Sequence, residues 1–335
     1  MITTFLATLN PMLTLFLCIV VGFVLCKAKI LPETACKVMA KLEVWVFCPA
    51  LSFYTMAYYF TIDTLGSHAT NIIICLFLIA LIVPLSYLLS NFFIREKVYE
   101  KNVYIYALAI ANIGYVGEPV VDAVLGGEGL AYYKLFTLPL SVVIYSWGVG
   151  ILVPSDKKTK RNPLLSLVNA PTIAMFIGMV VGLTGLAPVL LGDMASQNYT
   201  FFGATLFSLK GCMGPVAMLL AGCTIALYPF KKMVANVKVY FASIFRLVVI
   251  PTIAVAFIFA VKTLANVAFG LAINNLVVHL TFFATGTPLG LNTVVFPEAY
   301  GGDPSTGASM AMISHTLCVV TIPLMYALLC TVIPI

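Results

Sequence analysis

The segment ANIGYVGEPVVDAV, residues 111–124, places an amide, a carboxylate and helix-breaking residues in otherwise apolar sequence. Proline removes a backbone donor and glycine tolerates unwound backbone, so Gly114 and Pro119 predict a broken helix. The half-helix that follows a break presents free N–H groups and the positive end of its dipole. Beside them, Asn112 offers two donors and an acceptor, which suits a carboxylate. The alternative role for Asn112 is an amide that cross-links two helices.

The segment TGTPLGLN, residues 285–292, repeats this combination with Thr287, Pro288 and Asn292. Unwound backbone at membrane depth is tolerated only where it is buried in protein or lines a water-filled cavity. Two broken helices that meet from opposite sides would bring two positive helix ends to one anion site near the bilayer centre. A packing kink at each proline is the alternative, and the matching positions favour the site.

Glu118 is a carboxylate in an apolar segment, where a charge requires a proton, a cation or a basic partner. It is a candidate for the coupling site, either as a proton carrier or as a ligand of Na⁺. The alternative is a position near the outer mouth. A helix that starts near residue 102 reaches Glu118 after roughly 24 Å, which is past the centre of a bilayer core of about 30 Å.

Three further polar residues lie in apolar segments. Arg246 precedes Pro251 by five residues, and we expect it to bind backbone carbonyls freed by that proline rather than a substrate carboxylate. His315 is expected to be a buried core histidine, with a proton relay as the alternative. The same core role is predicted for His279.

The composition identifies the class of protein. Of 335 residues, 62% are hydrophobic and 9% are charged, against about 25% charged residues in soluble domains. The chain is therefore predicted to be an all-α polytopic membrane protein. Its nine cysteines form no CxxC motif, so we expect small buried side chains and no metal site. No nucleotide-binding or hydrolase motif is present, which predicts that the protein is not an enzyme.

The apolar runs predict ten transmembrane helices. Their approximate ranges are 5–27, 38–58, 69–94, 102–125, 131–153, 165–190, 202–228, 235–262, 270–297 and 305–333. Fourteen of the 18 basic residues fall in the first, third, fifth and seventh loops. The positive-inside rule places these loops in the cytoplasm and both termini on the other side. This distribution also explains the net charge of +6 without nucleic-acid binding.

The two halves of the chain resemble each other. Pro11 pairs with Pro171 and Pro119 with Pro288, at offsets that grow only slightly along the chain. We predict a first five-helix repeat over 1–153, a cytoplasmic linker over 154–164 and a second repeat over 165–335. Because each repeat has an odd number of spans, the second must be inverted. Inverted repeats with broken helices at matching positions are typical of secondary transporters.

At these residues the chain resembles the auxin efflux carrier family, which includes plant PIN-type carriers and bacterial malate and malonate permeases. The most specific segments are NIGYVGEP (112–119) and TPLGLNTVVFPEAYGGDP (287–304), with support from PVAMLLAGCTIA and RLVVIP. The resemblance implies two inverted five-helix repeats whose broken helices 4 and 9 cross. It also implies scaffold and transport domains, each built from both repeats. The sequence departs from the family at Glu118 and His315.

The function expected from these observations is secondary active transport of small organic anions by alternating access. The substrates implied by the resemblance are mono- or dicarboxylates, similar to auxin or malate. A ligand sensor that keeps the carrier fold without transport is the alternative. We expect no cofactor beyond a coupled proton or Na⁺. The expected partners are the substrate and the lipid bilayer of a bacterial inner membrane, with a homodimer as an open option.

Overall fold

The structure is a computed structural model that describes residues 2–95, 98–152, 170–194, 196–228, 235–294, 303 and 305–335. It is almost entirely helical, and its two-stranded hairpin of Gly192–Asp193 with Asn198–Tyr199 is short. The predicted linker over 154–164 lies outside the described residues. We label the helices α1 to α10 for reference. Directly abutting segments share a label, as do the segments on either side of each break, the segment Glu118–Val143 is divided at Gly126, and the short helix Ala187–Leu191 is left unnumbered.

The first half of the chain contains α1 to α5. Helix α1 is Ile2–Lys27, and α2 joins Thr34–Leu42, Glu43–Phe47 and Cys48–Tyr59. Helix α3 is Leu65–Ser90. Helix α4 consists of Val98–Ala109 and, after a break, Ile113–Gly117 with the first turns of Glu118–Val143. Gly126, at a φ of 72°, interrupts that last segment, and α5 continues from there through Ile144–Gly148 and Val149–Leu152.

The second half contains α6 to α10. Helix α6 is Ala170–Leu183, followed by the short helix Ala187–Leu191, and α7 is Phe201–Ala226. Helix α8 joins Val237–Ile244, Phe245–Val249 and Ile250–Phe269. Helix α9 is Leu276–Gly286 and, after a break, residues 292–294. Helix α10 is Ser305–Val332.

The prediction of an all-α membrane protein is confirmed. Within the described residues, five helical stretches are long and apolar enough to cross a membrane: Thr8–Lys27, Ala69–Ser90, Phe201–Ala226, Val237–Phe269 and Ser305–Val332. They leave large apolar side chains exposed, among them Leu17, Leu88 and Val267. In a soluble domain such surfaces would promote association, but lipid chains cover them in a bilayer.

Glycines allow two helix pairs to approach closely. Helix α1 packs along α7, and a Cβ at Gly22 would overlap the backbone carbonyl of Leu219. Helix α6 packs along α2, where a Cβ at Gly182 would overlap the carbonyl of Phe60. Membrane helices use small residues in this way because close backbone contact replaces the hydrophobic driving force. The four helices α1, α2, α6 and α7 therefore form one packed group, since α2 also contacts α7.

The remaining helices pack around the two breaks. Helix α3 contacts α4 and α5, and α8 contacts α9 and α10. The first segment of α4 is buried almost completely, from Val103 to Ala109, as is α9 from Val277 to Gly286. The interrupted backbone is thus inside the protein rather than against lipid, as its unpaired polar groups require.

Candidate functional site

The two broken helices meet at their breaks. The backbone N–H of Asn112 donates to the carbonyl of Pro288 over 2.8 Å, and Ala111 forms an antiparallel bridge with Leu289. The N–H of Leu289 in turn donates to the Ser314 hydroxyl on α10, over 3.2 Å. These bonds pair backbone groups that the interrupted helices cannot pair internally. The structure therefore brings the two predicted break segments together.

Beyond its break, α4 restarts with its first turn directed at a cavity. The carbonyl of Asn112 accepts the first bond of this turn from the N–H of Gly117, over 2.9 Å. The N–H groups of Ile113 and Gly114 precede that bond, at the end of a helix where N–H groups have no acceptor within the helix itself. Gly114 lines the cavity, and a Cβ built on it would meet no atom within 4 Å.

The side chain of Asn112 contacts His315, which is fully buried on α10. His315 Nδ1 lies 2.7 Å from the carbonyl of Ala311, so this nitrogen carries the proton and donates it. Its Nε2 is left as an acceptor for the Asn112 amide, whose Nδ2 lies 3.3 Å away. This contact orients the Asn112 amide through its nitrogen and does not involve the amide oxygen. His279 is also buried and packs against Tyr326.

The other predicted site residues are divided between the cavity and the protein interior. Asn292 lines the cavity, and its amide donates to the Tyr106 hydroxyl over 3.1 Å. Thr287 is fully buried, and its hydroxyl has no partner among the residues that the structure describes. Pro288 contributes the carbonyl that binds Asn112 and does not line the cavity. Pro119 begins the helix beside Glu118 and faces α7, close to Gly214.

Glu118 forms an ion pair with Lys134. Lys134 Nζ lies 2.5 Å from Glu118 Oε2 and also donates to the Ser52 hydroxyl on α2, over 3.2 Å. The Lys134 side chain is 4% exposed and that of Glu118 18%, so the glutamate is the more accessible partner. Lys134 lies within α5, near the start of the predicted span 131–153, and it supplies the basic partner that a buried Glu118 requires.

A second carboxylate lies behind this pair. Glu43 is fully buried in the π-helical segment of α2, and its Oε2 accepts a hydrogen bond from the Cys48 thiol at 3.7 Å. Its Oε1 has no partner within the described part of the chain. Both Val44 and Cys48 line the cavity. Glu43 was not among the predicted site residues, and its only signal in the sequence is a lone acidic residue inside the second predicted span.

The cavity itself has a volume of about 230 Å³. Helices α2, α6 and α7 form one side of it, through residues such as Ser52, Thr172 and Met213. Helices α4, α5 and α9 form the other side, and its polar lining comprises Asn112, Glu118, Lys134, Thr137, Ser141 and Asn292. A second cavity, between α8, α9 and α10, is lined almost entirely by apolar side chains, so it has few groups that could hydrogen-bond a polar ligand. The charged cavity is the candidate site.

Arg246 lies outside this cavity and is 1% exposed. Its Nη1 donates to the carbonyl of Leu108 over 3.2 Å. That carbonyl belongs to the last turn of the first segment of α4, where carbonyls lack a helical donor and a positive charge is favourable. The guanidinium therefore stabilises the break in α4. The sequence analysis expected a structural role but placed it at the carbonyls freed by Pro251, on the same helix as Arg246.

Two comparisons relate the chain to known proteins. A family model described as "Membrane transport protein" matches residues 7–326. A protein of Methanothermobacter thermautotrophicus described as an uncharacterized transporter is 21% identical over 322 residues, which cover 96% of this chain and 98% of that protein. Nearly the full length of the sequence, with both break segments, is included in the family match.

Proposed function

The chain belongs to the membrane transport protein family, and on that premise we propose that it is a secondary active transporter of small organic anions. The substrates proposed are mono- or dicarboxylates, moved by alternating access. The observation that carries this proposal is the cavity at the crossing of the two broken helices. There, Lys134, Asn112 and the first residues of the restarted helix α4 line one cavity.

The architecture proposed is two inverted repeats of five helices, over 1–153 and 165–335. The packing supports this arrangement because α1 on α7 and α6 on α2 are equivalent contacts under the repeat. Each contact uses an equivalent glycine, Gly22 in the first repeat and Gly182 in the second. The scaffold domain would then consist of α1, α2, α6 and α7. The transport domain would consist of α3 to α5 and α8 to α10.

The position of the cavity is consistent with alternating access. Its walls come from both proposed domains, with Ser52 and Met213 on the scaffold side and Asn112 and Lys134 on the transport side. Rotation of one domain against the other would open the cavity first to one face of the membrane and then to the other. The hydrogen bond between Lys134 and Ser52 crosses this boundary and would break in each cycle.

We propose that Lys134 is the cationic ligand of the substrate carboxylate. Its ammonium is occupied by Glu118 in the present arrangement, so a carboxylate must compete with that glutamate. Asn112 and the N–H groups that follow it would bind the second oxygen of the carboxylate. Gly114 leaves the space for the substrate beside them.

This competition supplies a mechanism for coupling. When the substrate takes the ammonium, Glu118 is left as a second anion beside it, and the pair of negative charges is costly in the enclosed cavity. Uptake of one proton by Glu118 removes that cost. Substrate and proton would therefore bind together and leave together. Glu43 is fully buried, its Oε1 has no partner among the described residues, and its neighbours Val44 and Cys48 line the cavity, so it is the candidate for holding a second proton.

We also propose that the protein resides in the bacterial inner membrane with both termini on the non-cytoplasmic side. Fourteen of 18 basic residues lie in the four loops that this orientation places in the cytoplasm. A cysteine introduced at Thr3 should react with an impermeant reagent in intact cells, whereas one at Lys158 should not.

Uptake into proteoliposomes tests the function. A panel of carboxylates would be offered while pH, Na⁺ and voltage gradients are imposed separately. We expect accumulation of at least one carboxylate driven by an inward proton gradient. Saturable binding with no uptake under any gradient would instead support the sensor, and neither binding nor uptake across the panel would reject an organic anion as the substrate.

A further inference from the structure

Three cysteines from different helices meet at one end of the proposed scaffold. Cys26 lies in the last turn of α1, Cys36 in the first turn of α2 and Cys223 in the last turn of α7. Their sulfur atoms all lie within 4.8 Å of one another. The spacing in sequence gives no hint of this, since Cys223 is 187 residues from Cys36 by their numbers. The structure thus brings together three cysteines that lie far apart in sequence, and only Cys223 is fully buried.

The separation of the sulfurs is close to that required by a shared metal ion. With metal–sulfur bonds of about 2.3 Å, three sulfurs around one ion in a plane lie roughly 4.0 Å apart. Small rotations of the cysteine side chains would reach this distance. Thiolates select soft ions such as Cu⁺ and Zn²⁺ over hard ions such as Mg²⁺ or Ca²⁺.

A lysine adjoins the cluster. Lys27 follows Cys26, and its ammonium donates to the carbonyl of Ala226, three residues after Cys223, over 3.4 Å. Cys223 is fully buried, and its thiol donates to the carbonyl of Gly22 over 3.2 Å. Cys26 and Cys36 are half-buried, which leaves a route for an ion from the loop side.

We propose that Cys26, Cys36 and Cys223 bind one soft d¹⁰ metal ion through three thiolates. Each thiol would lose one proton as its sulfur binds the ion, and no electron transfer is required. Cu⁺ is satisfied by three sulfurs, whereas Zn²⁺ would add a water molecule as its fourth ligand. The ion would tie the ends of α1, α2 and α7 together. All three belong to the proposed scaffold, so the site would stabilise that domain without restricting its motion against the other.

Metal titration of the purified, fully reduced protein tests this proposal. Cu⁺ would be supplied anaerobically from a competing chelator, and Zn²⁺ in a separate series. We expect one equivalent of at least one ion to bind and to raise the unfolding temperature. Cys26→Ser and Cys36→Ser should each weaken binding by at least about tenfold, because each removes a direct ligand.

Cys212→Ser is the matched control, since Cys212 lies on α7 with Cys223 but bonds to the carbonyl of Ser208 instead. It should bind the ion as the parent protein does. The size-exclusion profile of each variant without metal would establish that it is folded. The proposal is overturned if neither ion binds, if binding survives both cluster variants, or if Cys212→Ser weakens binding equally.

Discussion

The N–H of Asn112 donates to the carbonyl of Pro288 over 2.8 Å, so the two interrupted helices are joined where neither is helical. Each break leaves backbone groups without a partner in its own helix, and the crossing pairs some of them with the other helix. The bond also fixes Asn112 relative to α9. Asn112 and Gly114, which follow this junction, both line the cavity.

Substitution of Gly114 by alanine should reduce transport without destabilising the protein. A Cβ at this position meets no protein atom, so the methyl group would occupy space proposed for the substrate. Alanine would also favour the helix by about 0.5–1 kcal/mol relative to glycine. We expect a higher KM for uptake and an unchanged or raised unfolding temperature, and Gly114→Leu should abolish uptake.

Gly150→Ala is the control for this prediction because it adds a methyl group to an exposed position that is equally open. Its uptake should equal that of the parent. Gly117→Ala should instead lower the unfolding temperature, because its Cβ would overlap the Tyr133 hydroxyl. Parent-like KM in both Gly114 variants would show that the substrate lies elsewhere.

Alanine at Gly22 or Gly182 should destabilise the protein. Each added Cβ would overlap backbone of the neighbouring helix, which cannot rotate away as a side chain can. Overpacking of this kind costs about 1–3 kcal/mol. Thermal unfolding in detergent would measure the loss, with Gly211→Ala on α7 as the control because its Cβ would meet no atom within 4 Å. A similar unfolding temperature in all three variants would contradict the proposed close packing of the scaffold helices.

Replacement of Lys134 by methionine should both prevent substrate binding and destabilise the protein. Removal of one partner from a buried ion pair costs about 3–5 kcal/mol, and the partial exposure of Glu118 to the cavity should reduce that cost. The double variant Glu118→Gln with Lys134→Met leaves no unpaired charge. It should recover most of the unfolding temperature and still fail to bind substrate.

Unfolding temperatures of the two single variants and the double variant form a cycle that isolates the pair. Additive losses would mean that the two side chains do not interact. Substrate binding by the double variant would show that Lys134 is not the cationic ligand, even if the ion pair is confirmed.

The breaks were predictable from sequence because their cause is local. Pro288 cannot continue the hydrogen-bond ladder of a helix, and the second break lies at that residue. The first break lies at residues 110–112, a few residues before the predicted position, because Gly114 and Pro119 both belong to the helix that restarts at Ile113. The class of protein was predictable for a similar reason, since hydropathy is a property of consecutive residues.

The partners of the polar residues were not predictable because they come from distant segments. Lys134 follows Glu118 by 16 residues, and the turn at Gly126 brings the two side chains together. The sequence around Glu43 and around Cys223 is that of an ordinary apolar membrane helix, so neither residue stands out. Only the packing of α2 places Glu43 behind the cavity, and only the packing of α7 places Cys223 in the thiol cluster.

Neutralisation of Glu118 by Glu118→Gln should separate exchange from net transport. The glutamine resembles a permanently protonated Glu118, so Lys134 would be free to bind substrate without a proton. The loaded carrier would have a neutral site and could change its orientation. The empty carrier would hold the buried ammonium without a counter-charge, which opposes its return. We therefore expect exchange of labelled for unlabelled substrate to survive while uptake driven by a pH gradient is lost.

Asp122→Asn is the matched control, because Asp122 lies one turn further along the same helix and pairs with Lys210 outside the cavity, at 3.9 Å. It should retain both activities. Both assays would be run on the same proteoliposomes, so that a difference between them cannot come from the amount of folded protein. Uptake driven by a pH gradient at the parent rate in Glu118→Gln would exclude Glu118 as the proton carrier. Glu43 would then be the next candidate, because it is buried in α2 and its neighbours Val44 and Cys48 line the cavity. In that case Glu43→Gln should lose uptake driven by a pH gradient.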